Sequence, residues 1–164
     1  MTPAETRAEI ERLHAAGFAW SMACCGRDRG RAEDVLQTSY LKILDGRARF
    51  EGRSSFKTFL FGVIRTTASE ERRREAFRRL LAGGEPPRDA DSGGDARSVD
   101  RLALRTALRR LPRRQREVLV LVFAFGMTVQ ESAETLSIST GTASVHYDRG
   151  KRRLAELLGT RSGA

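Results

Sequence analysis

The sequence predicts an all-α protein: two small helical domains joined by a flexible acidic linker, with a helix-turn-helix in the second domain. The first observation is that apolar side chains recur at helical spacing in both halves of the chain. The second is that residues 81–100 hold five acidic and two basic side chains and are rich in glycine and proline. The third is a short helix, a three-residue turn and a longer basic helix within residues 128–158. We therefore expect domains at residues 1–80 and 101–164.

Two helices are predicted in the first half of the first domain. Residues 4–25 carry apolar side chains at helical spacing, although Gly17 weakens this prediction. Residues 31–44 form the next helix, because four large side chains recur at i, i+4, i+7 and i+8 of one face: Leu36, Tyr40, Ile43 and Leu44. This phase leaves Asp34, Gln37 and Lys42 on other faces of the helix.

A basic loop and a third helix complete the first domain. Residues 45–55 contain two glycines and three arginines, which predicts a loop, and Ser54 or Ser55 can cap the helix that follows. The apolar phase of that helix predicts a buried face, and a second face carries Lys57, Phe61 and Arg65. The helix ends in a run of glutamates and arginines up to residue 79.

Local signals divide the second domain into short helices. Leucines mark the first of them, and Pro112 is expected in the first turn of the next, where a missing amide donor costs nothing. Gly126 is expected to end that helix. The pattern from Thr128 to Glu131 is a capping box that opens a short helix, and residues 137–139 form a turn. A long basic helix then extends to about residue 158.

The short helix, the turn and the long helix form a helix-turn-helix. Ala133 and Ile138 can bury the corner between the two helices. The long helix then presents polar and small side chains to the major groove and basic ones to phosphates. The groove set is Thr140, Thr142, Ser144, Val145 and Asp148, and the phosphate set is Arg149, Lys151, Arg152 and Arg153. On spacing alone, an ordinary basic helical hairpin remains an alternative.

Composition favours a nucleic-acid partner and argues against a membrane, secreted or metal-binding protein. The net charge is +9, and arginine supplies all but three of the 30 basic residues. Arginine binds phosphate and stacks on bases, although a GC-rich genome also favours arginine codons. The longest apolar run has eight residues and no apolar signal segment follows Met1, so we expect a cytoplasmic protein. Cys24 and Cys25 are expected to be buried apolar thiols, and no metal or other cofactor is expected.

Two sets of motifs resemble bacterial RNA polymerase sigma factors, most closely the extracytoplasmic-function (ECF) group. In the second domain the resemblance lies in Leu111-Pro-Arg-Arg-Gln-Arg-Glu-Val-Leu119, in Met127 to Leu136, in Ile138 to Thr142 and in Arg149 to Leu154. In the first domain it lies in Ala32-Glu-Asp-Val-Leu-Gln37 and in Phe50-Glu-Gly-Arg-Ser-Ser-Phe-Lys-Thr-Phe-Leu-Phe61. The resemblance covers roughly residues 10–80 and 100–158. The order of the two sets matches the family as well.

The resemblance implies roles for named residues. Asp34, Gln37 and Lys42 would dock on the clamp helices of the largest polymerase subunit. Residues 45–55 would capture a flipped base of the minus-ten element. Five side chains would serve minus-ten recognition and melting: Arg49, Arg53, Lys57, Phe61 and Arg65. Phe61 would stack on a base, with a buried or interface phenylalanine as the open alternative. The minus-thirty-five element would be read or held by Thr140, Thr142, Ser144, Val145, Asp148, Arg149 and Arg152. Within that set Val145 would meet a thymine methyl and Asp148 would accept from cytosine N4.

Several positions depart from the family pattern, and they lie in promoter-reading segments. Phe59 stands where the family usually has tryptophan, Thr66 stands where it often has asparagine, and Ser137 replaces the usual glycine of the turn. The recognition helix has Ala143-Ser-Val-His146 in place of a segment that carries two basic groups. The resemblance therefore implies the general role and leaves the promoter preference open.

The resemblance also implies which partners the chain binds. The expected partners are core RNA polymerase, promoter DNA and an anti-sigma factor, which in this group is often membrane-anchored. No small-molecule substrate is expected. Four apolar side chains are expected to be exposed enough for an inhibitor to cover them: Phe59, Phe61, Val120 and Phe123.

Two other classes of function fit the sequence less well than a sigma factor does. A stand-alone helix-turn-helix regulator has no need of a clamp-binding helix and a melting loop, which residues 30–80 provide. An enzyme such as a nuclease is not expected, because His14 and His146 are far apart in the sequence and no acidic cluster has metal-ligand spacing.

Overall fold

The computed structural model describes residues 1–83 and 99–159, and the chain divides into two compact units, Met1–Gly94 and Asp95–Ala164. Over the described residues the structure contains helices and no strand, which confirms the all-α prediction. The predicted linker lies mostly outside the described residues. The helices are α1 Pro3–Cys24, α2 Arg29–Leu44, α3 Phe56–Leu81, α4 Val99–Arg109, α5 Arg113–Phe125, α6 Val129–Leu136 and α7 Thr140–Gly159.

The first unit is a three-helix bundle whose core is centred on Trp20. The Trp20 side chain is 1% exposed, its ring stacks on Phe61 with 5.7 Å between centroids, and its Nε1 donates to the Phe61 carbonyl at 3.0 Å. Leu60 and Ile64 of α3 and Val35 of α2 are fully buried as well. A buried indole with its N–H satisfied stabilises by apolar area without a desolvation penalty. The bundle therefore ties α1 and α2 to the middle of α3.

Gly17 lies at a close approach of helices. A Cβ at this position would stand 3.4 Å from Leu36 Cδ1 and 3.5 Å from Ile64 Cδ1, and Gly17 is buried in the middle of an unbroken α1. Helix propensity alone counts against glycine here by about 1 kcal/mol. Contacts with two other helices offset that cost, so α1 continues through the position.

Caps define the helix ends of the first unit. Thr2 and Glu5 form a reciprocal capping box at the start of α1, and Asp28 caps α2 by accepting from the Arg31 amide. Ser55 caps α3, which resolves the choice between Ser54 and Ser55. These side chains satisfy amide groups that have no partner within the helix.

The second unit contains the predicted helix-turn-helix, formed by α6, the turn at residues 137–139 and α7. Gly126 ends α5 in the left-handed conformation at φ 64°, and Thr128 and Glu131 form the predicted capping box of α6. The turn begins at Ser137, which is left-handed at φ 53°. The expectation for Pro112 is wrong by one position: it lies at the N-cap, and α5 begins at Arg113.

The core of the second unit lies between α5, α6 and α7. Fully buried apolar side chains fill it: Val118, Leu119, Leu121, Leu136 and Ala143. Gly150 of α7 is buried against α5, where a Cβ would meet Leu119 Cδ1 at 3.1 Å and Gln115 Cβ at 3.2 Å. The absent side chain therefore sets how closely the long basic helix approaches α5.

Candidate nucleic-acid interface

The long helix α7 turns one face to the core and the opposite face to solvent. Its buried positions are Ala143 and Gly150. On the opposite side, Val145 is 46% exposed, and Asp148, Arg149 and Arg152 are exposed as well. A second helix of a helix-turn-helix with such a face is suited to enter a major groove. The predicted groove residues and phosphate residues therefore share one accessible surface.

Hydroxyl groups organise the first turns of α7. Ser139 Oγ accepts from the Thr142 amide at 3.1 Å and is 2.8 Å from Thr142 Oγ1, which caps the helix. Ser144 Oγ donates to the Thr140 carbonyl at 2.9 Å. Thr140 and Thr142 are exposed, whereas Ser144 is half-buried. Thr142 therefore serves the helix cap as well as the predicted groove face.

The cations of α7 differ in what they contact. Within residues 1–83 and 99–159, no acidic side chain pairs with Arg149, Arg152 or Arg153, so each can bind a phosphate oxygen. Lys151 Nζ instead lies over the Tyr147 ring, 4.4 Å from its centroid. Tyr147 in turn stacks on Phe123 of α5, whose side chain is 65% exposed.

This stack of Lys151, Tyr147 and Phe123 was not predicted, although the exposure of Phe123 was. The sequence signal was available, because the apolar run at residues 118–125 contains more side chains than the buried face of α5 includes. Phe123 belongs to the run and lies outside that face. The other apolar side chains expected to be exposed behave differently. Phe59 and Val120 are half-buried.

The loop between α2 and α3 is anchored at three points. The Ala48 amide donates to the Lys42 carbonyl at 2.7 Å, which holds the loop to the end of α2. The Phe50 ring packs on Phe56 and Phe59 of α3, with 5.4 Å between centroids in each case. Ser55 caps α3 at the far end. Between these anchors the chain from Glu51 to Arg53 is exposed, so it can contact an unstacked base.

The three arginines of the loop are not equivalent. Arg47 pairs with Asp45 at 2.6 Å, and the Arg47 side-chain hydrogen bond lowers the pKa of the Asp45 carboxyl. Arg53 pairs with Glu51 at 2.9 Å on a fully accessible part of the loop. Arg49 bonds the Gly46 carbonyl at 3.3 Å and has no acidic partner in the described part of the chain. The charge of Arg49 is therefore not compensated by a carboxylate in this part of the chain, and it is available to a phosphate.

Of the three predicted melting residues on α3, one is misplaced. Lys57 and Arg65 are half-buried, which leaves part of each side chain accessible. Lys57 Nζ lies 5.7 Å from the centroid of the Phe61 ring. The expectation that Phe61 faces separated DNA strands is wrong, because its side chain is 0% exposed and stacks on Trp20. The expectation that it is an exposed apolar group is wrong for the same reason.

Helix α2 presents a continuous exposed face opposite its buried side. Asp34 and Gln37 lie on this face as predicted. Leu41 and Leu44 continue it one and two turns further along, with 59% and 48% exposure. Placing Leu44 on the apolar stripe was therefore wrong. Two polar groups and two leucines in a row form a surface that can bind another helix.

Lys42 does not belong to this exposed face. Its ammonium donates to Glu70 at 2.6 Å and to Thr67 Oγ1 at 3.1 Å, and its side chain is only 17% exposed. Both partners are on α3, so Lys42 cross-links α2 and α3 inside the first unit. The expectation that Lys42 contacts a partner protein is corrected by this contact.

Other site chemistry is limited over the described ranges. They hold no group of three or more histidine, cysteine, aspartate or glutamate side chains that could bind a metal ion, and no helix long and apolar enough to cross a membrane. Cys24 and Cys25 are half-buried rather than fully buried, and desolvation raises the pKa of the Cys25 thiol. A raised pKa leaves less of the nucleophilic thiolate.

Comparison with known proteins relates both units to one family. A model of sigma-70 region 2 matches residues 11–78, and a model of sigma-70 region 4 matches residues 101–154. The ECF RNA polymerase sigma factor SigX of Bacillus subtilis is 31% identical over 141 residues, which cover 80% of this chain and 73% of SigX. The RNA polymerase sigma factor CarQ of Myxococcus xanthus is 29% identical over 148 residues, covering 89% of this chain and 85% of CarQ.

A solved structure shares the fold. The sigma factor RpoE from Bartonella quintana, crystallised with the anti-sigma factor NepR, matches with a TM-score of 0.77 at 24% identity, over 94% of this chain and 97% of that chain. A match of the first unit to sigma region 2 does not favour a stand-alone helix-turn-helix regulator. Both units, in this order, match one kind of protein, and the chain belongs to the ECF RNA polymerase sigma factors.

Proposed function

We propose that the chain directs core RNA polymerase to promoters through three separate surfaces. These are the exposed face of α2, the loop at residues 45–55 with the adjoining part of α3, and the exposed face of α7. The observation that carries the proposal is that each surface is accessible and carries the side chains its role requires. Sigma factors act as non-enzymatic initiation factors, so the proposed chemistry is binding and strand capture.

The α2 face is proposed to bind the polymerase. Asp34 and Gln37 supply polar contacts, and Leu41 and Leu44 supply exposed apolar area next to them. An interface that combines apolar side chains with neighbouring polar groups is typical of helix-to-helix recognition. Lys42 supports this face indirectly, because its bond to Glu70 holds α2 against α3.

The loop and α3 are proposed to capture the melted minus-ten strand. Arg49 has its charge available, and Lys57 and Arg65 lie along α3 beyond the loop. Unstacked bases need a positively charged path and an accessible pocket edge. Phe61 acts from within the core by supporting α3, and a phosphate would compete with Glu51 for Arg53.

The α7 face is proposed to bind the minus-thirty-five element. Arg149 and Arg152 are exposed and would bind phosphates, and Ser144, Val145 and Asp148 would contact base edges. Thr140 and Thr142 stand at the helix start, where they can approach the groove edge. Phosphate contacts give affinity for any sequence, whereas base contacts give preference.

Control by an anti-sigma factor is part of the proposal. Leu41 and Leu44 of the α2 face and the Phe123 side chain are apolar and exposed, so a complex with a partner that covers them would be stabilised by the apolar area it buries. We propose that the protein resides in the cytoplasm, where polymerase and DNA are found. A helical inhibitor segment that covers the α2 face would compete directly with polymerase.

The test is transcription in vitro with purified core polymerase. The double variant Asp34→Arg with Gln37→Ala is expected to weaken core binding about tenfold or more while leaving the helix content unchanged. Glu11→Arg makes a matched charge reversal at an exposed position of α1 and is the control. Equal core binding by the double variant and the control would refute the assignment of the α2 face.

A further inference from the structure

The first turns of α7 expose a set of side chains with one kind of chemistry. We call Thr140, Ser144, Val145 and Asp148 the reading edge; Thr140, Ser144 and Asp148 follow one i, i+4 row, and Val145 lies beside that row. None of them is cationic, and the first arginine on the exposed side is Arg149, in the third turn. Arginine is the side chain that most often recognises guanine in the major groove. The reading edge therefore lacks the usual means of selecting guanine.

Ser144 is held as an acceptor. Its hydroxyl donates to the Thr140 carbonyl at 2.9 Å, so its proton is directed along the helix. A serine oxygen has two lone pairs and one proton, and the lone pairs are what remains for a base. A base that offers an amino hydrogen can bond this oxygen without breaking the bond to Thr140.

Asp148 adds a second acceptor to the same edge. Its side chain is exposed, and no ion pair or hydrogen bond engages it within the part of the chain that the structure describes. An ionised carboxylate accepts hydrogen bonds and donates none. Cytosine N4 and adenine N6 are the amino groups that the major groove displays, whereas guanine displays the acceptors N7 and O6. A guanine facing Asp148 or Ser144 would place acceptor against acceptor.

Val145 lies beside these two acceptors on the helix surface and is apolar. It is 46% exposed and is a branched side chain at a position that faces away from the core. Exposure of such an apolar group to water is unfavourable, whereas its contact with the C5 methyl of thymine buries apolar area and stabilises the complex.

We propose that the reading edge selects minus-thirty-five elements in which cytosine or adenine amino groups face Ser144 and Asp148 and a thymine methyl faces Val145, and that it rejects guanine at the positions facing the two acceptors. The proposal rests on the proposed function of α7 and adds to it the chemical class of base at each position. The specificity comes from acceptors and one branched apolar group, with arginine confined to phosphate contacts.

The main experiment uses the full chain with core polymerase on templates whose minus-thirty-five region is randomised. Each template carries a transcribed barcode that identifies its minus-thirty-five sequence. The barcodes of the transcripts are sequenced, and the frequency of each base among the transcribed templates is compared with that of the input pool. We expect guanine to be depleted about tenfold, relative to the preferred base, at the positions that Ser144 and Asp148 face. Asp148→Asn supplies a donor beside the acceptor, so it should move the preference at one position from cytosine to adenine.

A second arm tests the methyl contact. Replacing the selected thymine by deoxyuracil removes only the C5 methyl group, and we expect it to lower wild-type output a few-fold. Val145→Ala should make output equal on the two templates. Arg153→Gln is the control, because loss of a phosphate contact should lower output on all templates in equal proportion.

The outcomes separate this inference from the proposed function. Absence of sigma-dependent transcripts from the whole pool would contradict the function of the chain as proposed. Enrichment of guanine among the transcribed templates, at the position that Asp148→Asn changes, would refute the inference while leaving the function intact. A base profile that neither Asp148→Asn nor Val145→Ala alters would refute it in the same way.

Discussion

The left-handed residue of the helix-turn-helix offers a direct test of the local physics, because Ser137→Gly should stabilise the second unit. Ser137 adopts φ 53° and ψ 47°, and its side chain is exposed without a hydrogen bond in the described residues. A residue with a Cβ pays about 1–2 kcal/mol in this conformation. Glycine avoids that cost but loses about 0.5–1 kcal/mol more backbone entropy on folding. The expected net gain is about 0.5–1 kcal/mol.

Hydrogen exchange in the full chain can measure this gain within one unit. The slowest amides of α5 and α7 exchange through unfolding of the second unit, so their rates should fall about two- to fivefold in Ser137→Gly. Trp20 lies in the first unit and is the single tryptophan. Its fluorescence should therefore report an unchanged unfolding transition for that unit.

Two matched variants show whether backbone conformation is the cause. Ser137→Ala keeps a Cβ at the same φ and should give no stabilisation. Gly126→Ala introduces a Cβ at φ 64° and, by the same two opposing terms, should destabilise the second unit by about 0.5–1 kcal/mol. The reasoning is refuted if alanine at position 137 slows exchange as much as glycine does, or if Gly126→Ala has no effect.

Three further predictions follow from contacts in the two cores. Phe61→Ala should lower the free energy of unfolding of the first unit by about 3–5 kcal/mol, because the ring is fully buried. Denaturant titration followed by circular dichroism measures this change, and an unchanged free energy would indicate an exposed base-stacking residue instead. Gly150→Val should cost about 1–3 kcal/mol and weaken binding to minus-thirty-five DNA, because the new side chain enters space that Leu119 and Gln115 occupy; unchanged melting would contradict this. Desolvation raises the pKa of Tyr40 from 10.0 to about 12, so the folded state holds the phenol proton more tightly than the unfolded state does. The contribution of Tyr40 to stability is therefore complete below pH 10 and is lost as pH rises towards about 12, and Tyr40→Phe should remove this part of the alkaline loss in denaturant titrations.

Elements controlled by neighbours in the chain could be predicted from the sequence. Gly126 and the pair Thr128 and Glu131 act within one turn of their own helices, so the end of α5 and the start of α6 follow from local rules. The helix-turn-helix follows for the same reason, and with it the exposed positions of α7, such as Val145 and Asp148. Phase along a single helix was enough to place Asp34 and Gln37 on an outer face of α2.

Side-chain environments that depend on distant residues were decided by the tertiary structure alone. Helical phase put Phe61 on a second face of α3, but that face is covered by Trp20 of α1, so the ring became core. Helical phase predicted that Lys42 is a surface cation, but its ammonium donates a hydrogen bond to Glu70, 28 positions further along the chain. Periodicity states which residues share a face of one helix. It does not state which faces another helix covers, because that depends on packing between segments far apart in the chain.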